Sequence, residues 1–172
     1  MTRIIGIDPG SRHTGYGVIE SDRGRARLVA AGRISTASGT MPERLLQIHN
    51  ELADLLRDLA PAEAAIEEVF VNKNVHSALV LGQARGVAIC TLAQAGLSVA
   101  EYAPTQVKQA LTGSGRADKL QVQQMVKMLL NQQGRMAVDA SDALAVALTH
   151  AQVRETRSRI GIATGARSWR RL

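Results

Sequence analysis

The chain has 172 residues, 45% of them hydrophobic, and a formal net charge of +6, which fits one domain with its own core and excludes a two-lobed cleft. A single cysteine, Cys90, excludes a disulfide framework, and no Cys/His spacing fits a zinc site. No apolar run reads as a membrane span, and Met1 leads straight into a strand pattern with no cleavable leader, so a cytoplasmic protein is expected.

The first element is Arg3-Ile4-Ile5-Gly6-Ile7-Asp8, stopped by Pro9-Gly10. Its nearly continuous β-branched residues suit a central strand covered on both faces, and Pro-Gly cannot extend a ladder. Asp8 therefore falls at a strand's carboxyl end, the rim where α/β sheets place their chemistry. The plain alternative is that Asp8 only starts a turn. Residues 14–20 and 25–36 alternate around Ser21-Asp22-Arg23-Gly24 and predict an antiparallel hairpin. Gly15 and Gly17 inside it mark close backbone approach near the site.

Pro42-Glu43 opens a helix whose Leu45, Ile48, Leu52, Leu55 and Leu59 form one apolar stripe, a core pattern, and Pro61 ends it. Residues 64–70 read as a fourth strand that finishes on Glu67-Glu68-Val69-Phe70. Val75 to Gln94 is apolar or small on nearly every side, so that helix must be covered all round, either inside the monomer or, as the small domain favours, partly by a second copy. A fifth strand follows at 97–103, then a helix from Pro104 to about Gly113, a basic loop Gly113-Ser114-Gly115-Arg116-Ala117, and a helix that Asp118 can cap. The last helix begins near Val138, and beyond Glu155 the Arg, Ser and Gly content predicts a flexible basic tail over 156–172 after a folded domain over 1–155.

Asp139 and Asp142 are three apart on that last helix and project from one face, although carboxylates at a helix start also serve as caps. If the ends of the first and fourth strands and the start of the last helix share one sheet edge, four carboxylates gather without basic partners. Their repulsion is relieved by divalent cations, and hard oxygen donors without His or Cys select Mg²⁺ or Mn²⁺. Two such ions can promote in-line displacement at a phosphodiester. Residues 36–70 hold seven acids against Arg44 and Arg57, whereas 103–135 holds Lys108, Arg116, Lys119, Lys127 and Arg135 against Asp118 alone. A polyanion is the expected partner of the basic segment, with a solvated charged face as the bland reading.

The ordered set Gly6-Ile7-Asp8-Pro9-Gly10-Ser11, Thr14-Gly15-Tyr16-Gly17, Ala65-Ile66-Glu67-Glu68-Val69-Phe70, Leu81-Gly82-Gln83-Ala84-Arg85-Gly86, Gln106-Val107-Lys108-Gln109 and Asp139-Ala140-Ser141-Asp142-Ala143-Leu144-Ala145 resembles the RuvC family of Holliday junction resolvases. The resemblance runs in order from Met1 to about His150. It implies a ribonuclease H-like α/β fold, with a five-stranded mixed sheet whose first three strands are antiparallel and whose two further strands are parallel, flanked by helices. It also implies a homodimer that nicks two opposed strands of four-way DNA junctions and leaves 5′-phosphate and 3′-hydroxyl ends.

By position, Asp8, Glu67, Asp139 and Asp142 match the family's metal-binding carboxylates, two Mg²⁺ per subunit with Mn²⁺ as a substitute. Glu68 is the rival of Glu67, and alternation alone does not separate them. Phe70 matches an aromatic used at the junction, with a core phenylalanine as the alternative. Lys108 and Lys119 match lysines that contact DNA, and Arg116 joins them as a phosphate contact. The RuvA and RuvB branch-migration proteins are partners by resemblance. Two other readings compete: a non-catalytic junction-binding protein, and an actin-like or sugar-kinase-like ATPase, which needs a second lobe that this length cannot supply.

Overall fold

The computed structural model describes residues 1–36, 39–69, 75–159 and 161. The elements are β1 (Thr2–Asp8), β2 (His13–Asp22), β3 (Arg25–Ser35), α1 (Met41–Leu59), β4 (Glu63–Glu67), α2 (Val75–Gln94), β5 (Val99–Tyr102), α3 (Pro104–Thr112), α4 (Lys119–Leu129) and α5 (Val138–Arg159). The sheet runs β3-β2-β1-β4-β5, with β1, β2 and β3 antiparallel and β1, β4 and β5 parallel. This is the predicted five-stranded mixed sheet.

Strand alternation sorts the core into two layers. Ile5, Ile7, Val18, Ile34, Ala64 and Ile66 point to α1 and α2, where Ile48, Leu52, Ala84, Ala88 and Leu92 cover them. Ile4, Ile19 and Ala65 point the other way, to Leu144, Ala147, Leu148 and Ala151 of α5 and to Val107, Val122 and Val126 of α3 and α4. β-branched residues fill the first layer because both its walls are side chains. The second layer brings a helix backbone onto the sheet, and three glycines make that possible. A Cβ on Gly6 would sit 2.2 Å from the Ala143 carbonyl oxygen, and one on Gly15 2.1 Å from that of Asp139. At Gly17 it would lie 2.6 Å from Leu144 Cγ. Gly6 faces Gly17 across β1 and β2. The sheet thus carries a side-chain-free channel into which α5 settles, aided by the alanines on the helix.

Some boundaries differ from the sequence reading. β4 stops at Glu67, and β5 keeps only its middle four residues. α5 continues to Arg159, past the predicted boundary at 155, because Glu155 and Arg159 pair at 2.7 Å one turn apart. The rest of the predicted tail, apart from Gly161, lies outside the described residues. The expectation of no membrane-length apolar run also needs correcting, since α2 is long and apolar enough to cross a bilayer by length and composition. Its apolar character has another cause. Ala84, Ala88, Thr91 and Leu92 are buried in the first layer, while Leu79, Gly82, Gly86 and Cys90 form an outward stripe. Nothing lies within 4 Å of a Cβ placed on Gly82 or Gly86.

Candidate active site

Asp8 ends β1 on the α5 face, two residues beyond Gly6 on the same side of the strand. Ile7 pairs with Ile66 in parallel register, which sets Glu67 beside Asp8 at the same sheet edge. Glu63 and Ala65 both meet α5, so alternation puts Glu67 on that face too and turns Glu68 away. That register separates two residues the sequence left as rivals. Gly15 is Asp8's cross-strand partner and touches the Asp139 backbone, so the channel that seats α5 also delivers Asp139 and Asp142 to the rim.

The electrostatics confirm that these groups sense one another. Burial, followed by Glu67, Asp142 and Asp139, pushes the Asp8 carboxyl up to about 7, with Lys119 pulling the other way. Glu67 is raised by burial and then by Asp142, while Lys119 and Lys108 oppose the shift. The alternatives of turn and cap fare less well. The turn after Asp8 is tied by the Thr14 hydroxyl, which donates to the Gly10 carbonyl at 2.7 Å, and not by Asp8. Among the described residues neither Asp139 nor Asp142 accepts a capping hydrogen bond, whereas Asp118 does cap α4, accepting from the Gln121 amide at 2.9 Å.

That cap fixes where Lys119 stands. As the first residue of α4 it reaches Asp142 at 2.6 Å. Burial works against its charge, yet the Asp142 contact and the fields of Asp8 and Asp139 leave its pKa raised. Lys108, on α3, is near enough to lower Glu67. Arg116 sits farther out, exposed in a groove of about 520 Å³ between the α3–α4 loop and α4, beside Ser114, Gln121 and Met128. Phe70 lies outside the described residues.

Two arginines near the site escaped the sequence reading. Arg85 of α2 donates from Nε to the Glu67 carbonyl at 3.1 Å and pairs with Glu101 of β5, holding the end of β4. Arg33 of β3 lies 3.6 Å from Asp139, in the same cross-strand row as Gly15 and Asp8. Arg85 stood within a quoted motif, but only a fold shows what its guanidinium binds. Arg33 carries no local signal.

The donor set fits hard divalent cations: four carboxylates, two of them raised by burial and mutual repulsion, and no nitrogen or sulfur ligand. Among the described residues no three acidic, His or Cys side chains close into a ligand cage. Lys119 on Asp142 and Arg33 near Asp139 hold part of the negative charge instead.

Comparison with known proteins gives the family and the fold. A family profile described as "Crossover junction endodeoxyribonuclease RuvC" matches residues 4–150. Proteins of that name from Dichelobacter nodosus and Methylococcus capsulatus are each 54% identical, the first over 91% of this chain and 89% of its own length, the second over 93% and 96%. The fold superposes on the structure of Thermus thermophilus RuvC in complex with a Holliday junction substrate with a TM-score of 0.85, at 35% identity, over 95% of this chain and 98% of that one. The chain belongs to the RuvC family of crossover junction endodeoxyribonucleases.

Proposed function

We infer that this chain is a structure-specific endonuclease that resolves four-way DNA junctions by metal-dependent hydrolysis of phosphodiester bonds. The observation that carries the reading is the convergence of Glu67, Asp139 and Asp142 on Asp8 at one sheet edge, in a member of a family named for that activity. Asp8, Glu67, Asp139 and Asp142 would hold two Mg²⁺ ions per subunit, with Mn²⁺ able to replace them. When bound, such ions supply a nucleophile at neutral pH and stabilise the leaving oxygen. The chain's own part is to hold the four carboxylates on rigid elements and to keep the scissile phosphate in reach. Lys119 would exchange Asp142 for a phosphate oxygen as the carboxylate charge is neutralised. Lys108 and Arg116 would add backbone contacts, and Phe70 would stack on an unpaired base.

Two-fold symmetry accounts for paired nicks. The outward stripe of α2, with Gly82 and Gly86 open to close approach, is the face on which a second copy would pack, presenting two equal sites to the two strands. Cuts that leave 5′-phosphates and 3′-hydroxyls can be sealed by a ligase. A cytoplasmic setting and delivery of junctions by RuvA and RuvB belong to the same reading.

The test is a synthetic four-way junction with each strand labelled in turn, incubated with and without Mg²⁺ and resolved on denaturing gels. Paired, symmetric, Mg²⁺-dependent nicks are expected. Tight junction binding without cutting at any metal concentration would replace this reading with a scaffold, and nucleotide hydrolysis without DNA would replace it with an ATPase.

A further inference from the structure

The cations given a DNA contact above, Lys108, Lys119 and Arg116, come from α3, α4 and their connecting loop. On the opposite flank, Arg33 projects from β3 beside Asp139. Beside it lies a groove of about 260 Å³ between Leu28, Ala31 and Gly32 of β3 and the residues that join α4 to α5. Gly32 is next to Arg33 in the chain, and Ala140, next to Asp139, lines the groove as well, so one end of it adjoins the Arg33–Asp139 pair. Lys127 and Arg135 stand in its wall, and no acidic side chain lines it. Among the described residues neither Lys127 nor Arg135 has an ion pair, in contrast to Arg3, Arg27, Arg57, Arg85, Arg154 and Arg159, each of which has one. The amides of Gln132 and Gln133 add neutral hydrogen-bonding capacity.

We propose that this groove is a second DNA contact, in which Arg33, Lys127 and Arg135 hold the backbone of the duplex arm that leaves the carboxylates on the β3 side. The proposal rests on the endonuclease reading above and adds to it the path of the substrate. From Arg33 to Leu28 the strand spans roughly 15 Å. That is the axial length of about four or five base pairs at 3.4 Å each, enough for three cations to meet separate phosphates. Arg33 has a particular part: in the absence of ions it screens Asp139, and once that charge is neutralised its guanidinium is released to a phosphate at the groove's mouth. The site is then flanked by cations on both sides, which holds the strand across the carboxylates rather than pivoting at one end.

The test compares the wild-type chain with an Arg33→Gln, Lys127→Gln, Arg135→Gln triple variant, with Arg57→Gln on α1 as control, binding a four-way junction in Ca²⁺ over a range of salt concentrations. Each phosphate contact contributes about 0.9 to the slope of log affinity against log salt, so the triple variant should lose roughly 2 to 3 from that slope and the control nothing. A wild-type slope retained by a folded triple variant would overturn this proposal alone. A wild-type chain that bound no junction at any salt would overturn it together with the endonuclease reading.

Discussion

β4 carries a glutamate at each end, both on the same face and both meeting α5, yet the two live in opposite circumstances. Glu63 is fully compensated: His150 Nε2 lies 2.9 Å from one carboxylate oxygen, Arg154 Nε donates to the other at 2.8 Å, and Tyr102 supports His150 Nδ1 at 2.9 Å. Burial holds the His150 pKa below its ordinary value, consistent with a neutral ring that donates through Nε2 and accepts the Tyr102 hydroxyl at Nδ1. Glu67, four residues on, meets like charges, and burial and Asp142 raise it. One end of the α5 seam is built as a staple and the other as an unsatisfied site. A carboxylate raised by burial and by like charge costs stability, whereas a paired one does not.

The sharpest way to break this contrast is Asp8→Asn. Cutting should fall by about 10³-fold or more, on the order of 4 kcal/mol of transition-state stabilisation, while junction binding in Ca²⁺ persists. Single-turnover cleavage beside a mobility-shift titration checks both, and loss of binding with normal cutting would remove Asp8 from the site.

The same substitution reads the cost of the unsatisfied end. Asp8 keeps its proton up to about 7 in the folded chain, whereas the unfolded chain releases it at the ordinary carboxylate value. With chelator present, stability should therefore drop as pH rises through that window, by roughly 2–4 kcal/mol from this group. Asp8→Asn should abolish that component, so urea midpoints of the two chains should coincide near pH 4 and diverge by pH 8, with the variant the more stable. His150 acts with opposite sign: its folded pKa is depressed, so its stability is present above the ordinary histidine value and is lost as pH falls through the folded one. An unchanged pH profile in Asp8→Asn would mean that neither burial nor the neighbouring carboxylates hold the Asp8 proton.

At the staple, Glu63→Ala should cost about 2–3 kcal/mol by stranding His150 and Arg154, lowering Tm by roughly 4–12 °C. The cleavage rate of the remaining folded protein should stay within about twofold of wild type, because the staple lies at the far end of β4. A larger fall in rate at full folding would show that the two ends are coupled.

The smallest effect is expected from Lys119→Gln. Its ammonium is largely exposed, so stability should barely change, while junction affinity should drop and the salt slope lose about one. An unchanged slope would place Lys119 outside the DNA contact.

Much of this was written locally in the chain. The β-branched run ending on Asp8, the leucine stripe of α1, the Asp118 cap and the order of strands and helices follow from periodicity and turn chemistry, which depend on near neighbours alone. That acids recur where elements begin or end was also visible, and it was enough to nominate four of them. What the chain by itself could not express is relative placement. Glu67 parts from Glu68 only through its register against β1, Gly6, Gly15 and Gly17 become a seat for α5 only when a helix backbone lies on them, and Arg33 reaches Asp139 only because β3 closes the sheet edge. Periodicity is a property of a few consecutive residues, whereas the field at Asp8 sums charges from β4, α4 and α5, and only the packed sheet fixes those distances.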